Sequence, residues 1–325
     1  MLTIIMYHYV RDLPRSRYPR IKGLATEKFD GQLDYIVKHY TVCSLRQVIA
    51  ASSGQATLPP RACLLTFDDG FTDHYLTVLP HLLSHGITGS FYPPAQVIEE
   101  RRVLDVHKVQ FILASSDDTG RLIADIFKGL ASYRSTWDIP DDQALLQKYS
   151  GSSRFDPPEI IFIKRLLQYG LPERIRAEII DVLFAQYVSH DERTFADELY
   201  MDIPQLRQMI ADGMEVGGHG YSHRWFEHLS RDDQAAEIKQ TLAILEKVHG
   251  HGPPDWAMCY PYGSYNAVTL ELLSAAGCRL GLTTRVALND DLSRSLELAR
   301  LDTNDLPFRG DAELSAWTAA EARHG

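Results

Sequence analysis

Two short segments carry the side chains best suited to chemistry. Residues 66–70 (Thr-Phe-Asp-Asp-Gly) place Asp68 and Asp69 at the end of an apolar run. About 150 residues later, His219 and His223 stand four positions apart. Imidazoles at that spacing face one point if the backbone makes a helical turn. One carboxylate and two histidines form a three-ligand metal set that leaves positions open for water and substrate, as catalytic sites require.

The segments therefore predict a bound divalent cation. Asp69, His219 and His223 are its expected ligands, and Asp68 is then free to act as a base beside it. Zinc suits this ligand set best, and cobalt, nickel, iron and manganese also accept it. Simpler interpretations remain open, because Asp-Asp-Gly is also a sequence that favours a turn and the histidines could be loop residues. Ser222 could orient an imidazole or serve only the turn.

Two further strand ends bring candidate residues. In residues 259–263 (Cys-Tyr-Pro-Tyr-Gly), the Tyr262 amide could point at a developing oxyanion while its ring lines a substrate groove. The segment could equally be an aromatic-rich strand end. His8 follows the first apolar run, where a lone histidine is more often packed than catalytic. If the carboxyl ends of the strands meet at one rim, however, His8 would lie close to the metal. Asp105 and His107 form a weaker candidate pair.

The elements that must position these residues alternate between strand and helix. Apolar runs at 2–7, 62–67, 88–92, 214–216, 256–259 and 279–283 predict strands. Helices predicted between them favour a parallel sheet with helices outside, and both chemical motifs fall at carboxyl ends of strands, where such folds place active sites. We expect an α/β fold, an irregular (β/α) barrel built from residues 1–94 and 201–325. A mostly helical insertion, residues 95–200, interrupts it.

Composition excludes several classes of function. Acidic residues outnumber basic ones, 43 to 33, without a Lys/Arg cluster, which argues against binding to nucleic acid or an anionic membrane. No stretch reaches the roughly 18 apolar residues that span a bilayer. The first residues lack the basic region of a secretory signal, so we expect a cytoplasmic protein without integral membrane contact. Four separated cysteines suggest no disulfide framework.

The motifs together resemble those of the polysaccharide deacetylases, the NodB-homology group also called carbohydrate esterase family 4. The resemblance implies a deformed (β/α) barrel, a divalent metal and hydrolysis of an N- or O-acetyl group on a sugar. By position, Asp68 resembles the general base, and Asp69, His219 and His223 resemble the metal ligands. Tyr262 resembles the residue whose backbone amide completes the oxyanion site.

Two departures from the family pattern matter. Cys259 stands near the place of the arginine that tethers the base, and the usual Leu-x-His near the C-terminus is missing. A similar Tyr-Pro-Tyr-Gly segment occurs in the poly-N-acetylglucosamine deacetylase branch, where a Tyr-His pair on the first strand supplies the acid. Tyr7 and His8 match that pair, so His8 is the predicted general acid. Arg300 is the candidate for the missing arginine.

The predicted substrate is an acetylated sugar or glycan. A cytoplasmic enzyme would act on a sugar precursor of surface-polysaccharide assembly, and we expect the insertion to narrow the groove or to mediate self-association into a homo-oligomer. Two other interpretations remain open. One is a metal-dependent C–N hydrolase of cyclic amides or ureides. The other is a catalytically degenerate homologue that binds glycans.

Overall fold

The chain folds into two compact units. A computed structural model describes residues 1–152, 156–252 and 255–322. The first unit contains residues 1–12, 23–101 and those from 197 onward, and the second contains residues 13–22 and 102–196. Residues 13–22 carry no sequence signal for the second unit, and the domain boundaries at 94/95 and 200/201 stay a prediction. Within the described ranges, no helix is both long and apolar enough to cross a bilayer.

All strand pairs described between named strands are parallel. The strands are β1 (Leu2–Tyr7), β2 (Val10–Arg11), β3 (Leu24–Ala25), β4 (Thr41–Val42), β5 (Ala62–Asp68), β6 (Ser90–Tyr92), β7 (Glu215–Val216), β8 (Trp256–Cys259), β9 (Cys278–Leu282) and β10 (Leu301–Asp302). The predicted strands are therefore present, two of them shorter than the apolar runs suggested.

Helices fill most of the remaining chain. The α-helices are α1 (Thr26–His39), α2 (Leu45–Ser52), α3 (Leu79–Ser84), α4 (Ala95–Glu99), α5 (Asp105–Ser115), α6 (Thr119–Ala131), α7 (Asp142–Tyr149), α8 (Pro158–Arg165), α9 (Glu173–Tyr187), α10 (Glu192–Leu199), α11 (Ile203–Ala211), α12 (Arg231–His249), α13 (Ala267–Ala275) and α14 (Ala316–Ala322). Short π-helices span His74–Val78 and Leu166–Gly170. Short 3-10 helices span Leu13–Arg15, Phe226–His228, Pro261–Gly263, Ser295–Glu297 and Thr303–Asp305.

The strands of the first unit close into an irregular barrel. The main sheet has the order β10-β1-β5-β6-β7, and β4 pairs with the first residues of β5. Beyond β7, a parallel bridge between Gly218 and Met258 joins the sheet to β8, which pairs with β9. A second parallel bridge, between Leu282 and Leu298, links β9 to the segment that leads into β10. These two bridges complete the ring, so the predicted deformed (β/α) barrel is confirmed.

Aromatic rings stack between the main sheet and α1, where Phe29 packs edge-on against Tyr7 and Phe67. Every residue of β5 is buried, as expected for a parallel strand covered on both faces. The Phe67 ring lies between Tyr7 of β1 and Phe91 of β6, at centroid distances of 4.9 and 4.7 Å. The Tyr7 hydroxyl donates to Gln32 of α1 at 2.8 Å, so its polar end is satisfied. This packing fixes the strand that delivers Asp68.

The second unit is helical, as its apolar periodicity predicts. Lys108 of α5 is buried there and forms ion pairs with Asp181 at 2.5 Å and Glu192 at 3.0 Å. Asp105 and His107 lie on the same helix. Burial raises the pKa of the Asp105 carboxyl, and Lys108 opposes that effect. These contacts pair the buried Lys108 ammonium with two partly exposed carboxylates.

Candidate metal site and active centre

The two carboxylates stand at the mouth of the barrel because β5 ends there. Asp68 is the last residue of the strand, and Asp69 and Gly70 both take positive φ, 76° and 69°. The Asp69 amide still donates to the Tyr92 carbonyl at 3.1 Å. A Cβ on Gly70 would lie 2.5 Å from the Pro93 side chain, so only glycine fits. The turn therefore sends two adjacent side chains in different directions.

The histidine pair converges although its backbone makes no helical turn. Residues 219–223 lie outside any helix, Gly220 has φ 70° and His223 has φ 56°. Residues in the left-handed region change the direction of the chain without forming a helical turn. The imidazoles still meet, with ring centroids 4.8 Å apart. Side-chain spacing alone could not distinguish the two backbone routes.

Asp69, His219 and His223 form a compact group of three donors. Each Nε2 lies 3.5 Å from Asp69 Oδ1, and one donor atom from each residue lies within 4.8 Å of the others. Donors held about 2.1 Å from zinc at tetrahedral angles would stand about 3.4 Å apart. The spacing and the ligand chemistry therefore fit a divalent cation of the zinc class.

Hydrogen bonding orients the first imidazole for this role. His219 Nδ1 lies 2.8 Å from the Cys259 carbonyl oxygen, which accepts its proton and leaves the Nε2 lone pair directed at Asp69. Burial lowers the pKa of the His219 imidazole, but the Asp69 and Asp68 carboxylates raise it by more, so the pKa lies above its usual value. A bound cation would take the place of the proton that Nε2 would otherwise carry.

Backbone strain is concentrated at the site. Five non-glycine residues in the described ranges have positive φ, and three of them are Asp69, His223 and Tyr262. Such conformations cost of order 1–3 kcal/mol each and persist where the surroundings dictate them. Asp69 directly follows β5, His223 follows a bend, and Tyr262 precedes Gly263. The strain thus marks the same residues that the motifs single out.

Arg300 holds Asp68 in place. Its Nη1 donates to Asp68 Oδ1 at 2.9 Å, and its Nη2 lies 2.8 Å from Oδ2. Burial raises the pKa of the Asp68 carboxyl, but the Arg300 guanidinium outweighs it and lowers that pKa to about 2. Asp68 is therefore ionised at neutral pH. The chain supplies the tethering arginine from just before β10, as the sequence suggested.

The rest of the Arg300 guanidinium is also bound. Its Nε donates to the Thr283 carbonyl at 2.8 Å, and Nη1 also lies 3.2 Å from Thr66 Oγ1 and from Cys259 Sγ. Cys259 thus occupies a place beside the guanidinium rather than serving as the tether. Burial raises the pKa of its thiol, which is therefore neutral at pH 7.

His8 lies at the same rim, at the end of β1. It is one of the groups whose charge lowers the pKa of Asp68. Its backbone carbonyl oxygen lies 2.9 Å from Nε2 of the buried His74, which donates to it. Burial lowers the pKa of His74 to about 4, so this imidazole is neutral. Sequence reasoning missed His74, whose one signal was a histidine within an apolar helix.

Tyr262 and Trp225 form an aromatic wall beside the donor group. The Tyr262 ring stands edge-on to His223, with centroids 4.6 Å apart. Trp225 stacks on Tyr262 at 4.3 Å and nearly parallel, 5° between planes. Trp225 was not predicted, although it lies only two positions after His223. A flat aromatic surface of this kind suits the apolar face of a sugar ring.

Ser222 is bound by a carboxylate of α12. Its hydroxyl donates to Glu237 on α12, and that carboxylate also accepts from the backbone amides of Tyr221 and Ser222. Of the two roles that the sequence left open for Ser222, the structure favours the turn. Glu237 was missed, because a glutamate inside a long amphipathic helix looks like an exposed residue.

Comparison with known proteins places this site in a family context. A sequence profile described as polysaccharide deacetylase matches residues 186–281, which include the histidine pair and Tyr262. No curated protein matches the chain in sequence. The solved deacetylase PplD from Streptococcus pyogenes, in complex with acetate, is 18% identical with a TM-score of 0.57, over 94% of each chain.

Two further solved structures share the fold. IcaB from Ammonifex degensii is 18% identical with a TM-score of 0.55, covering 99% of this chain and 95% of its own. A de-N-acetylase from Aggregatibacter actinomycetemcomitans is 13% identical with a TM-score of 0.52, covering 99% and 98%. The profile match over residues 186–281 and the shared fold make the chain similar to the polysaccharide deacetylases. The resemblance inferred from the sequence is thereby confirmed.

Proposed function

We propose that this protein is a metal-dependent hydrolase that removes the acetyl group from an N-acetylated sugar. One observation carries the proposal: the three-donor group of Asp69, His219 and His223 lies next to a second carboxylate, Asp68, that a buried arginine keeps ionised. A structural metal site has no use for a separate ionised carboxylate at its edge. Metal-dependent hydrolysis of an amide uses both parts, a cation that polarises the carbonyl and a base that deprotonates the attacking water.

Asp69, His219 and His223 would hold the cation. When bound, a divalent metal supplies a Lewis acid that lowers the pKa of a bound water and polarises the scissile carbonyl. The three protein donors leave further coordination positions open, in keeping with a catalytic rather than a structural site. The orientation of His219 by the Cys259 carbonyl keeps one donor aligned before the metal arrives.

Asp68 acts as the general base. Its carboxylate accepts the proton of the attacking water, and Arg300 keeps it deprotonated and correctly turned. The Tyr262 backbone amide would donate to the oxyanion that develops on the acetyl carbonyl. The left-handed conformation of Tyr262, φ 59°, is the kind of constrained backbone found where an amide is aimed at a reacting atom.

His8 acts as the general acid. An amine is a poor leaving group, so an amide is cleaved at useful rates only if the nitrogen is protonated as the C–N bond breaks. His8 lies at the rim within electrostatic range of Asp68, and its backbone is anchored by His74. Acetate and a free amino sugar are the products.

The substrate class follows from the site and its relatives. Binding of acetate by PplD and the de-N-acetylase activity of a second relative support an N-acetyl group as the target. The Trp225–Tyr262 wall supports a sugar ring as its carrier. We place the substrate among acetylated sugar precursors of surface polysaccharides.

The test is acetate release from a panel of N-acetylated sugars, sugar nucleotides and short oligosaccharides. Metal-stripped protein is assayed with and without added zinc or cobalt, beside the Asp68→Asn variant. Metal-dependent release that Asp68→Asn abolishes is expected. Release from cyclic ureides instead would favour the alternative C–N hydrolase, and glycan binding without release from any substrate would favour a degenerate binder.

A further inference from the structure

The loop between the two histidines is held from a helix behind it. Glu237, on α12, accepts hydrogen bonds from the backbone amides of Tyr221 at 2.8 Å and of Ser222 at 2.9 Å through the same carboxylate oxygen, Oε2. Its other oxygen, Oε1, accepts from the Ser222 hydroxyl. The carboxylate therefore takes three donors from the two residues that directly precede His223.

Burial makes these bonds hard to replace. Glu237 is only 5% exposed, so water cannot readily substitute for it at the loop amides. An amide buried without an acceptor destabilises the fold, and Glu237 is the acceptor for two amides of this loop. Glu237 sits in the first half of a 19-residue helix, which is a rigid support.

The opposite side of the loop is bound as well. The Gly220 carbonyl accepts from the Ala95 amide at 3.0 Å, and the Tyr221 carbonyl accepts from the Gln96 amide at 2.9 Å. Both donors belong to the start of α4. The loop backbone is thus bound through its carbonyls by α4 and through its amides by Glu237. With Gly220 at φ 70° and His223 at φ 56°, this double support decides where the second imidazole stands.

We propose that Glu237 is a positioning residue that sets the separation of His219 and His223 and so prepares the metal site before the cation binds. The inference rests on the proposed function, because it concerns the same three donors. Glu237 itself touches neither histidine in any hydrogen bond described and acts through the backbone of residues 221 and 222. Its role depends on the length of its side chain and the position of its acceptor oxygens, and not on its negative charge.

Three substitutions separate geometry from charge. Glu237→Gln keeps one oxygen for the two amides and offers an N–H to the Ser222 hydroxyl oxygen, so all three bonds survive without the charge. Glu237→Asp keeps the charge but is one methylene shorter. Glu237→Ala removes the contact. Glu246→Gln, at an exposed position on the same helix, is the matched control.

The primary measurement is titration of metal-stripped protein with cobalt(II), followed by its visible absorption. We expect Glu237→Gln and Glu246→Gln to bind with near wild-type affinity. Glu237→Asp and Glu237→Ala should bind 10–100-fold more weakly, the usual range for loss of a group that orients a metal ligand. If Glu237→Ala does not fold, Glu237→Asp carries the comparison.

A second measurement needs no metal. Amide hydrogen exchange at Tyr221 and Ser222 in the metal-free protein should accelerate in the Asp and Ala variants and stay slow in the Gln variant. Wild-type affinity in both Asp and Ala variants, or equal loss in Gln and Ala, would overturn the proposal. Failure of the wild-type protein to bind cobalt would instead count against the proposed function, while the exchange rates would still decide the role of Glu237.

Discussion

The Arg300 guanidinium and the Asp68 carboxylate form a buried ion pair between residues 232 positions apart in the chain. Nη1 contacts Oδ1 at 2.9 Å and Nη2 contacts Oδ2 at 2.8 Å, and both side chains are almost fully buried. The family pattern places its arginine elsewhere in the sequence. Here the neighbouring order of β10, β1 and β5 brings a different arginine to the same carboxylate.

Loss of Arg300 should leave a buried charge unpaired. We expect Arg300→Gln to lower the free energy of unfolding by about 3–5 kcal/mol, the usual cost of breaking a buried pair from one side. The pKa of Asp68 should rise, because the strongest influence that opposes burial is removed, so the acid limb of kcat/KM moves to higher pH. Urea unfolding and a pH–rate profile measure the two effects.

The double variant Asp68→Asn/Arg300→Gln is the control for that pair. Removing both charges should recover part of the stability, because no unpaired charge remains. Additive losses in the double variant would mean that the two groups do not interact energetically.

Replacing Asp68 and replacing Asp69 should have different effects on metal affinity and turnover. Asp68→Asn should keep metal affinity and lose about 10²–10⁴ in turnover, as expected for a missing general base. Asp69→Ala should lose metal and activity together, because Asp69 is one of the three donors. Metal content by elemental analysis and acetate release measure the difference. Equal metal loss in both variants would contradict the assignment.

Replacing His8 should affect the leaving group selectively. His8→Gln should retain metal but lose about 10²–10⁴ in turnover on an acetamide, which needs a protonated nitrogen to leave. On 4-nitrophenyl acetate, whose phenolate leaves without a proton, the loss should be much smaller. Steady-state rates on both substrates test this, with the exposed His228→Gln as control. A similar loss on both substrates would rule out an acid role.

His74 should make stability pH-dependent on the acid side. Burial holds its folded pKa at about 4, below the 6.5 of an unfolded histidine. Above pH 6.5 both states are neutral and the group contributes nothing. As pH falls from about 6.5 to about 4, only the unfolded state gains the proton, so stability declines by up to roughly 3 kcal/mol.

The variant His74→Gln removes the titration while its amide can still donate to the His8 carbonyl. Urea unfolding at pH 7 and pH 5 should show a smaller decline for His74→Gln than for the wild type. His228→Gln should behave as the wild type does, because that side chain is exposed in the fold. Parallel declines in wild type and His74→Gln would show that other groups dominate.

Local patterns in the sequence were sufficient for much of the fold. The apolar run of β5 reflects burial that is decided within a few residues, and this strand appears where it was predicted. Ser44 and Gln47 form a capping box at the start of α2, a contact that is likewise local in the sequence. The expected metal ligands could be identified for the same reason, because carboxylate and imidazole groups bind metals in any fold.

Tertiary structure decided how those donors meet. The residue types at the strand ends and their order can be read from the amino-acid sequence, and from these a barrel with a metal-type site could be predicted. The sequence did not determine the left-handed turns at Asp69 and His223, which the surrounding packing imposes. The sequence also did not reveal Glu237, because its hydrogen-bond partners lie on a loop that comes close to α12 only in the folded barrel. Contacts across large sequence separations depend on strand order and register, which leave no local periodic signal.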